Sequence, residues 1–209
     1  MAVASDISGL LDIQTKLFIL FPMRPTEPDL AQTIKGFQSK GKTLLLTSRG
    51  YSNRNATERE LEKNDLHFHK LNSLLKGSRG FAGKYYPYEL DKLESYGLES
   101  SDAALVKNSP ARLSSYVDGL FMTAGQHKGV MLKTLLHKLG AKPKVIFFAD
   151  DHKKHTDGMG KAFETRDEKV YTFHYNGELE KVKAFNQGDK GHVFLQWLMI
   201  DGAIDSVLQ

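Results

Sequence analysis

The chain has no cysteine among its 209 residues. That excludes disulfide staples, thiolate nucleophiles and cysteine-ligated zinc, and it suits a cytoplasmic location. Nowhere does an apolar run reach the roughly 18 uninterrupted residues that a membrane-spanning helix needs, so no bilayer span is predicted. The amino terminus, Met1-Ala2-Val3-Ala4-Ser5-Asp6, lacks a basic stretch. The apolar segment Leu17-Phe18-Ile19-Leu20-Phe21 sits too far in, behind an acidic amphipathic stretch, to read as a signal peptide. Charge of one sign is also missing as a block: 29 basic and 25 acidic residues are interspersed, for a net charge of +4. No nucleic-acid arm stands out, and a small anionic substrate fits that balance. What remains is ordinary globular composition, 40% apolar and 26% charged, at a length that suits one domain with an insertion.

Hydrophobic periodicity organises both ends of the chain. Leu10, Leu11, Ile13, Leu17 and Phe18 recur at helical spacing and predict a helix from Ile7 to Leu20 with Asp6 as N-cap. Thr26-Glu27-Pro28-Asp29 opens a second helix to Gln38, Lys42 to Leu46 reads as a short strand, and Asn53 to Asn64 as a polar helix. Between about Tyr51 and Ser115 strong strand signals stop and an aromatic-rich stretch with Tyr85, Tyr86 and Tyr88 appears, which reads as an inserted cap. Asp118-Gly119, flanked by Tyr116-Val117 and Leu120-Phe121-Met122-Thr123, signals a hairpin. A helix Lys128 to Leu139, a strand Val145 to Asp150, a helix near Thr156 to Glu164 and a strand Lys169 to Tyr175 follow. Helices near Glu178 to Phe185 and His192 to Ile200 close the chain.

The most informative residues are Asp150 and Asp151, at the end of the apolar run Val145-Ile146-Phe147-Phe148-Ala149. A β-branched and aromatic run of that length reads as a buried parallel strand, and the carboxyl ends of such strands are where open α/β sheets place ligands. Two carboxylates there suggest a hard cation. Upstream, Leu44-Leu45-Leu46-Thr47 with Ser48-Arg49-Gly50 is a second strand-end signal, and Lys128 heads the helix Lys128-Gly129-Val130-Met131-Leu132.

In this order the three signatures resemble the haloacid dehalogenase-like (HAD) superfamily, in an uncharacterised bacterial phosphatase-like branch. The resemblance implies an α/β, three-layer, Rossmann-like parallel-sheet core from residues 1–50 and 116–209, with a mainly helical cap over 51–115. It implies that Thr47, Ser48 and Arg49 bind the phosphoryl group of a phosphorylated small molecule. Lys128 would be the lysine that neutralises phosphate charge, and Asp150 and Asp151 would hold Mg2+. Apart from any family, phosphoryl transfer is catalysed mainly by positioning and by charge neutralisation on the equatorial oxygens, which a hydroxyl, an ammonium and a divalent ion supply. Adjacent residues after a strand cannot both point one way, so Asp150 is the stronger candidate metal ligand.

The family's first motif, a strand ending in Asp-x-Asp, should precede Thr47 and is not in the sequence: Asp6, Asp12 and Asp29 all lie in helical or turn contexts. Either the chain is a truncated form of a longer protein or it is a relative that has lost catalysis. Little or no phosphomonoester hydrolysis is expected. A non-catalytic phosphate-binding or protein-interaction module is the alternative, and an exposed sheet edge at the missing strand would promote homo-oligomers.

Each signature has a plainer reading. Two aspartates after an apolar run are more often a cap and a solvated turn, Thr47 alone a strand-end cap, and Lys128 alone a surface lysine. Ordered agreement favours the phosphate reading. His152, His155 and Asp157, with His67 and His69 as a second pair, offer a competing zinc cluster, which Lys153 and Lys154 oppose. The tyrosines 85, 86 and 88 read as packing of the insert before they read as a substrate lid. Arg49 suits either an anion or a salt bridge to the cap.

Overall fold

The computed structural model of the protein describes residues 7–68, 81–84, 90–109 and 111–208; Asp6, His69 and the tyrosines 85, 86 and 88 lie outside the described residues. Two compact units divide the chain: Met1–Leu17 with Asn176–Gln209, and Phe18–Tyr175. Helix α1 (Ile7–Leu20) begins in the first and ends in the second.

The larger unit is an α/β assembly whose centre is a single helix. Its elements are α2 (Leu30–Gln38), β1 (Leu45–Thr47), α3 (Arg54–Lys63), β2 (Phe81–Lys84), α4 (Asp102–Val106), β3 (Leu113–Val117), β4 (Leu120–Met122), α5 (Lys128–Lys138), β5 (Val145–Asp150), α6 (Lys153–Ala162) and β6 (Lys169–His174). Nine consecutive residues of α5, Lys128 to Leu136, are buried, so the helix is covered all round. One side packs Val130, Met131 and Leu135 against Tyr116 and Phe121. The other packs Leu132 and Leu136 against Phe148, Met159 and Phe163.

Two sheets lie against it. The first has the order β1-β4-β3-β2, with β1 parallel to β4 and the rest antiparallel. It is therefore mixed where a parallel sheet was expected, and the cause is local. Asp118 (φ 43°) and Gly119 (φ 81°) both take positive φ, the turn whose twist folds β3 back on β4. A Cβ at Gly119 would lie 2.6 Å from the Phe68 carbonyl oxygen, so the turn needs its glycine twice over. The 51–115 stretch contributes two of the four strands, β2 and most of β3.

The second sheet is the parallel pair β5-β6, joined through α6. Alternation splits it cleanly. Ile146 and Phe148 face the helices, whereas Phe147, Tyr171 and Phe173 are exposed on the opposite face and stack on one another at 5.3 and 6.3 Å. Leu44 and Leu46, flanking and within β1, pack with Ile146 of β5 against the same cluster, yet among the described residues β1 and β5 do not pair.

In the smaller unit, α7 (Leu179–Gln187) and α8 (Gly191–Leu208) accompany the start of α1. Trp197 is buried there, and Lys16 pairs with Asp201 at 3.6 Å. Among the described residues no helix is long and apolar enough to cross a membrane.

Candidate functional site

The carboxyl ends of β1, β4 and β5 meet around the start of α5. Thr123, directly after β4, donates both its backbone N–H and its hydroxyl to the Thr47 carbonyl at 2.9 Å, and the Ala124 N–H donates to the Arg49 carbonyl at 3.1 Å. The turn that follows needs positive φ at Ala124 and Gly125 and is clamped by the buried Gln126. Its amide oxygen accepts from the Arg112 N–H while its NH2 donates to the Arg112 and Thr123 carbonyls. Five residues after Thr123 the chain enters α5 at Lys128.

Lys128 reaches across to Asp150. Its ammonium lies 2.5 Å from Asp150 Oδ2, with the two side chains only 9% and 5% exposed. Asp150 Oδ1 accepts from the His152 backbone N–H and from His155 Nδ1, both at 2.9 Å. Burial pushes the Asp150 carboxyl up, but the hydrogen bonds from Lys128, His152 and His155 outweigh it and hold the group below the usual aspartate value. The carboxylate is thus kept ionised, three of its four lone-pair positions engaged.

Asp151 points elsewhere. Its side chain is 71% exposed and only 3.9 Å from the equally exposed His152 Nε2, while its carbonyl accepts from His174 Nε2 at 3.1 Å. The acidic pair therefore splits into one buried and one solvated carboxylate. Thr47 Oγ1 accepts from the Arg49 N–H at 3.2 Å, the plain turn-capping role. Ser48 lies in the same turn. Arg49 turns away toward α3. It donates to Thr57 Oγ1 at 3.0 Å and to Met23 Sδ at 2.9 Å, with its guanidinium 4.0 Å from the centre of the Phe18 ring. Met23 is in turn anchored by the buried Glu60, whose carboxyl falls to about 2 because the Met23 N–H and the Arg59 guanidinium hydrogen-bond it.

The structure thus brings Lys128 and Asp150 into contact, places Thr47 on the same rim through Thr123, and leaves Asp151 and Arg49 facing other ways. The competing zinc set does not converge. His155 serves Asp150, His152 is exposed, Asp157 pairs with Lys153 at 2.7 Å, and His67 pairs with Glu62 and Asp65. Among the described residues no group of three or more His, Cys, Asp or Glu side chains is placed to share a metal ion. Thr123 and Gln126 are rim residues that sequence patterns do not single out, and His155, read from the sequence as a zinc candidate, is on the rim as a hydrogen-bond donor to Asp150 instead. Thr123 alone had a signal, since it ends an apolar run as Thr47 does.

A family described as "Protein of unknown function (DUF2608)" matches residues 4–205, nearly the whole chain, and the protein belongs to that family. No curated protein and no solved structure matches it.

Proposed function

We propose that this DUF2608 member binds a phosphorylated small molecule at the rim formed by Thr47, Lys128 and Asp150, on an α/β scaffold laid out like that of a HAD-type phosphohydrolase. The observation that carries the reading is the buried Lys128–Asp150 pair, which joins the head of α5 to the carboxyl end of β5, a strand paired in parallel with β6. An ammonium fixed beside a strand-end carboxylate can bind a phosphate oxygen as a point charge. The Thr47 hydroxyl retains a proton to donate, because its contact with the Arg49 N–H uses only a lone pair.

The donor set suits magnesium better than an ion that needs an all-protein cage, because magnesium keeps several waters and binds through one or two carboxylates plus phosphate. Asp150 is the residue that would hold it, through the one lone pair left on Oδ2. When bound there, the ion would neutralise charge on the phosphate oxygens. Asp151, exposed as it is, would act only through water.

Turnover is expected to be weak or absent. A covalent route needs a carboxylate nucleophile on a strand beside Thr47, and the chain has no Asp-x-Asp run before that residue. A second reading, interaction through strand addition, including self-association, rests on the sides of β1 and β5 that pair with no strand among the described residues.

The test pairs binding with turnover. Inorganic phosphate is titrated calorimetrically with and without magnesium, and hydrolysis of an aryl phosphate is followed in parallel, for the intact chain and for Asp150→Asn. Magnesium-dependent phosphate binding, weakened about tenfold or more in the variant and accompanied by negligible hydrolysis, is the expected result. Robust hydrolysis abolished by the substitution would mean that another carboxylate does the nucleophile's work. No phosphate binding by the intact chain would remove this reading and leave strand addition.

A further inference from the structure

A second group of cations lies on the helices, apart from the rim. A cavity of about 440 Å³ is lined by His127, Lys153, Lys154, Asp157, Gly158 and Lys161, with Leu105 of α4 as an apolar wall. It shares no residue with Thr47, Lys128 or Asp150. We propose that this groove between the start of α5 and the outer face of α6 is a site for a dianionic phosphate group.

Unbalanced charge is the first reason. Lys154, Asp157, Gly158 and Lys161 fall at helical spacing on one face of α6. Asp157, the only acid lining the groove among the described residues, is taken by Lys153 through both oxygens, at 2.7 and 2.8 Å. Lys154 and Lys161 have no carboxylate partner among the described residues. Lys153 and Lys154 also occupy the first turn of α6, which contains no acidic residue of its own. A cluster that breaks the usual placement of charge on a helix is what a site awaiting an anion looks like.

The second reason is His127. It caps α5 by accepting the Val130 N–H on Nδ1, which leaves Nε2 as the protonated nitrogen of the neutral ring and makes it a donor on the groove side. Burial lowers the imidazole pKa from its usual value, which keeps the ring neutral and this tautomer dominant near pH 7.

Third, two glycines bring the helices close enough to form the groove. A Cβ at Gly129 would lie 2.6 Å from Ala162 Cβ, and one at Gly158 would lie 2.9 Å from His127 Nε2. Glycine in a helix interior is unfavourable, so Gly158 within α6, facing Gly129 in the first turn of α5, marks a close approach that larger residues would prevent. Two ammonium groups without a carboxylate partner among the described residues, together with one N–H donor, match a dianion with several acceptor oxygens better than a carboxylate.

The test is titration of the intact protein with inorganic phosphate, followed by amide NMR. The Gly158 and Lys161 amides report on the groove, and the Thr47 and Ser48 amides report on the rim. Saturable shifts at Gly158 and Lys161 are expected, with affinity falling about tenfold in the double variant Lys154→Gln/Lys161→Gln. Both lysines are exposed, so the fold should survive. The double variant Lys181→Gln/Lys183→Gln, also exposed, should leave the groove response unchanged, and acetate should bind at least about tenfold more weakly than phosphate. No groove shift, a shift indifferent to Lys154 and Lys161, an equal loss in the Lys181/Lys183 control, or equal binding of acetate would each overturn the proposal. Because the rim amides are read separately, a silent rim with a responding groove would count against the proposed function and not against this site.

Discussion

Helix α5 serves two sheets that are supported very unequally. On the β1–β4 side, Tyr116, Phe121 and Met122 are fully buried, and long-range locks hold the strands. Arg54 Nη2 donates to the Ser115 carbonyl and hydroxyl and to the Leu120 carbonyl, and Gln126 clamps the turn after β4. On the β5–β6 side one face is packed by α5 and α6, while the other shows Phe147, Tyr171 and Phe173 to solvent. The two halves of the rim inherit this difference. Thr47 rests on the locked sheet, whereas Asp150 rests on a strand pair fixed mainly by its helices and by the ion pair to Lys128.

The sharpest way to break that comparison is to cut the covered side. Phe121 has no exposed surface and meets Tyr116 edge-on at 6.3 Å within the α5 cluster. Phe121→Ala is expected to cost about 3–5 kcal/mol, the sum of lost transfer energy and the cavity left behind. Urea unfolding would show it as a lower midpoint at unchanged slope.

A smaller effect is expected where the two regions are tied together. Asp150→Asn keeps a side-chain oxygen for the His152 N–H but leaves the Lys128 ammonium without its carboxylate, at a cost of about 1–3 kcal/mol. The sign with pH follows from the lowered carboxyl pKa. In the unfolded chain the group titrates near 3.9. Its contribution is therefore complete above that value and is lost as pH falls through the lower folded value. The gap in stability between wild type and variant should be constant at pH 5 to 7 and shrink below pH 4. A gap that widened in acid would mean that the pair does not stabilise the fold.

Elements with a strong local cause were the ones readable from sequence. The helix from Ile7 to Leu20, the strand ending at Asp150 and the Asp118-Gly119 turn are present at those residues. Other features depend on distant partners. β2 has no alternation in Phe81-Ala82-Gly83-Lys84 and exists by pairing with β3, and the second helix begins at Leu30 rather than Thr26 because Glu27 to Asp29 form a turn. In the site, the family resemblance implied that Lys128 and Asp150 share one site, but their direct contact is a tertiary fact that neither position signals. The splitting of Asp150 from Asp151 follows from strand alternation. The turning of Arg49 onto Phe18 and Met23, and the bridging of Thr47 by Thr123, are tertiary facts with no short-range signature.

The smallest effect should come from the open side. Phe147 is 69% exposed, so truncation removes little buried area and forfeits mainly its stacking on Tyr171 and Phe173. Phe147→Ala is expected to change stability by less than about 1 kcal/mol, several-fold less than Phe121→Ala, although the same side chain is removed from a strand in each case. That ratio measures coverage directly, because the transfer term scales with area withdrawn from water. Should Phe147→Ala cost as much as Phe121→Ala, the aromatic face would be covered in solution. Repeating the unfolding at several protein concentrations would then say by what: a cost that grows with concentration means a second copy, since association stabilises by mass action, and a cost that does not means cover from within the chain.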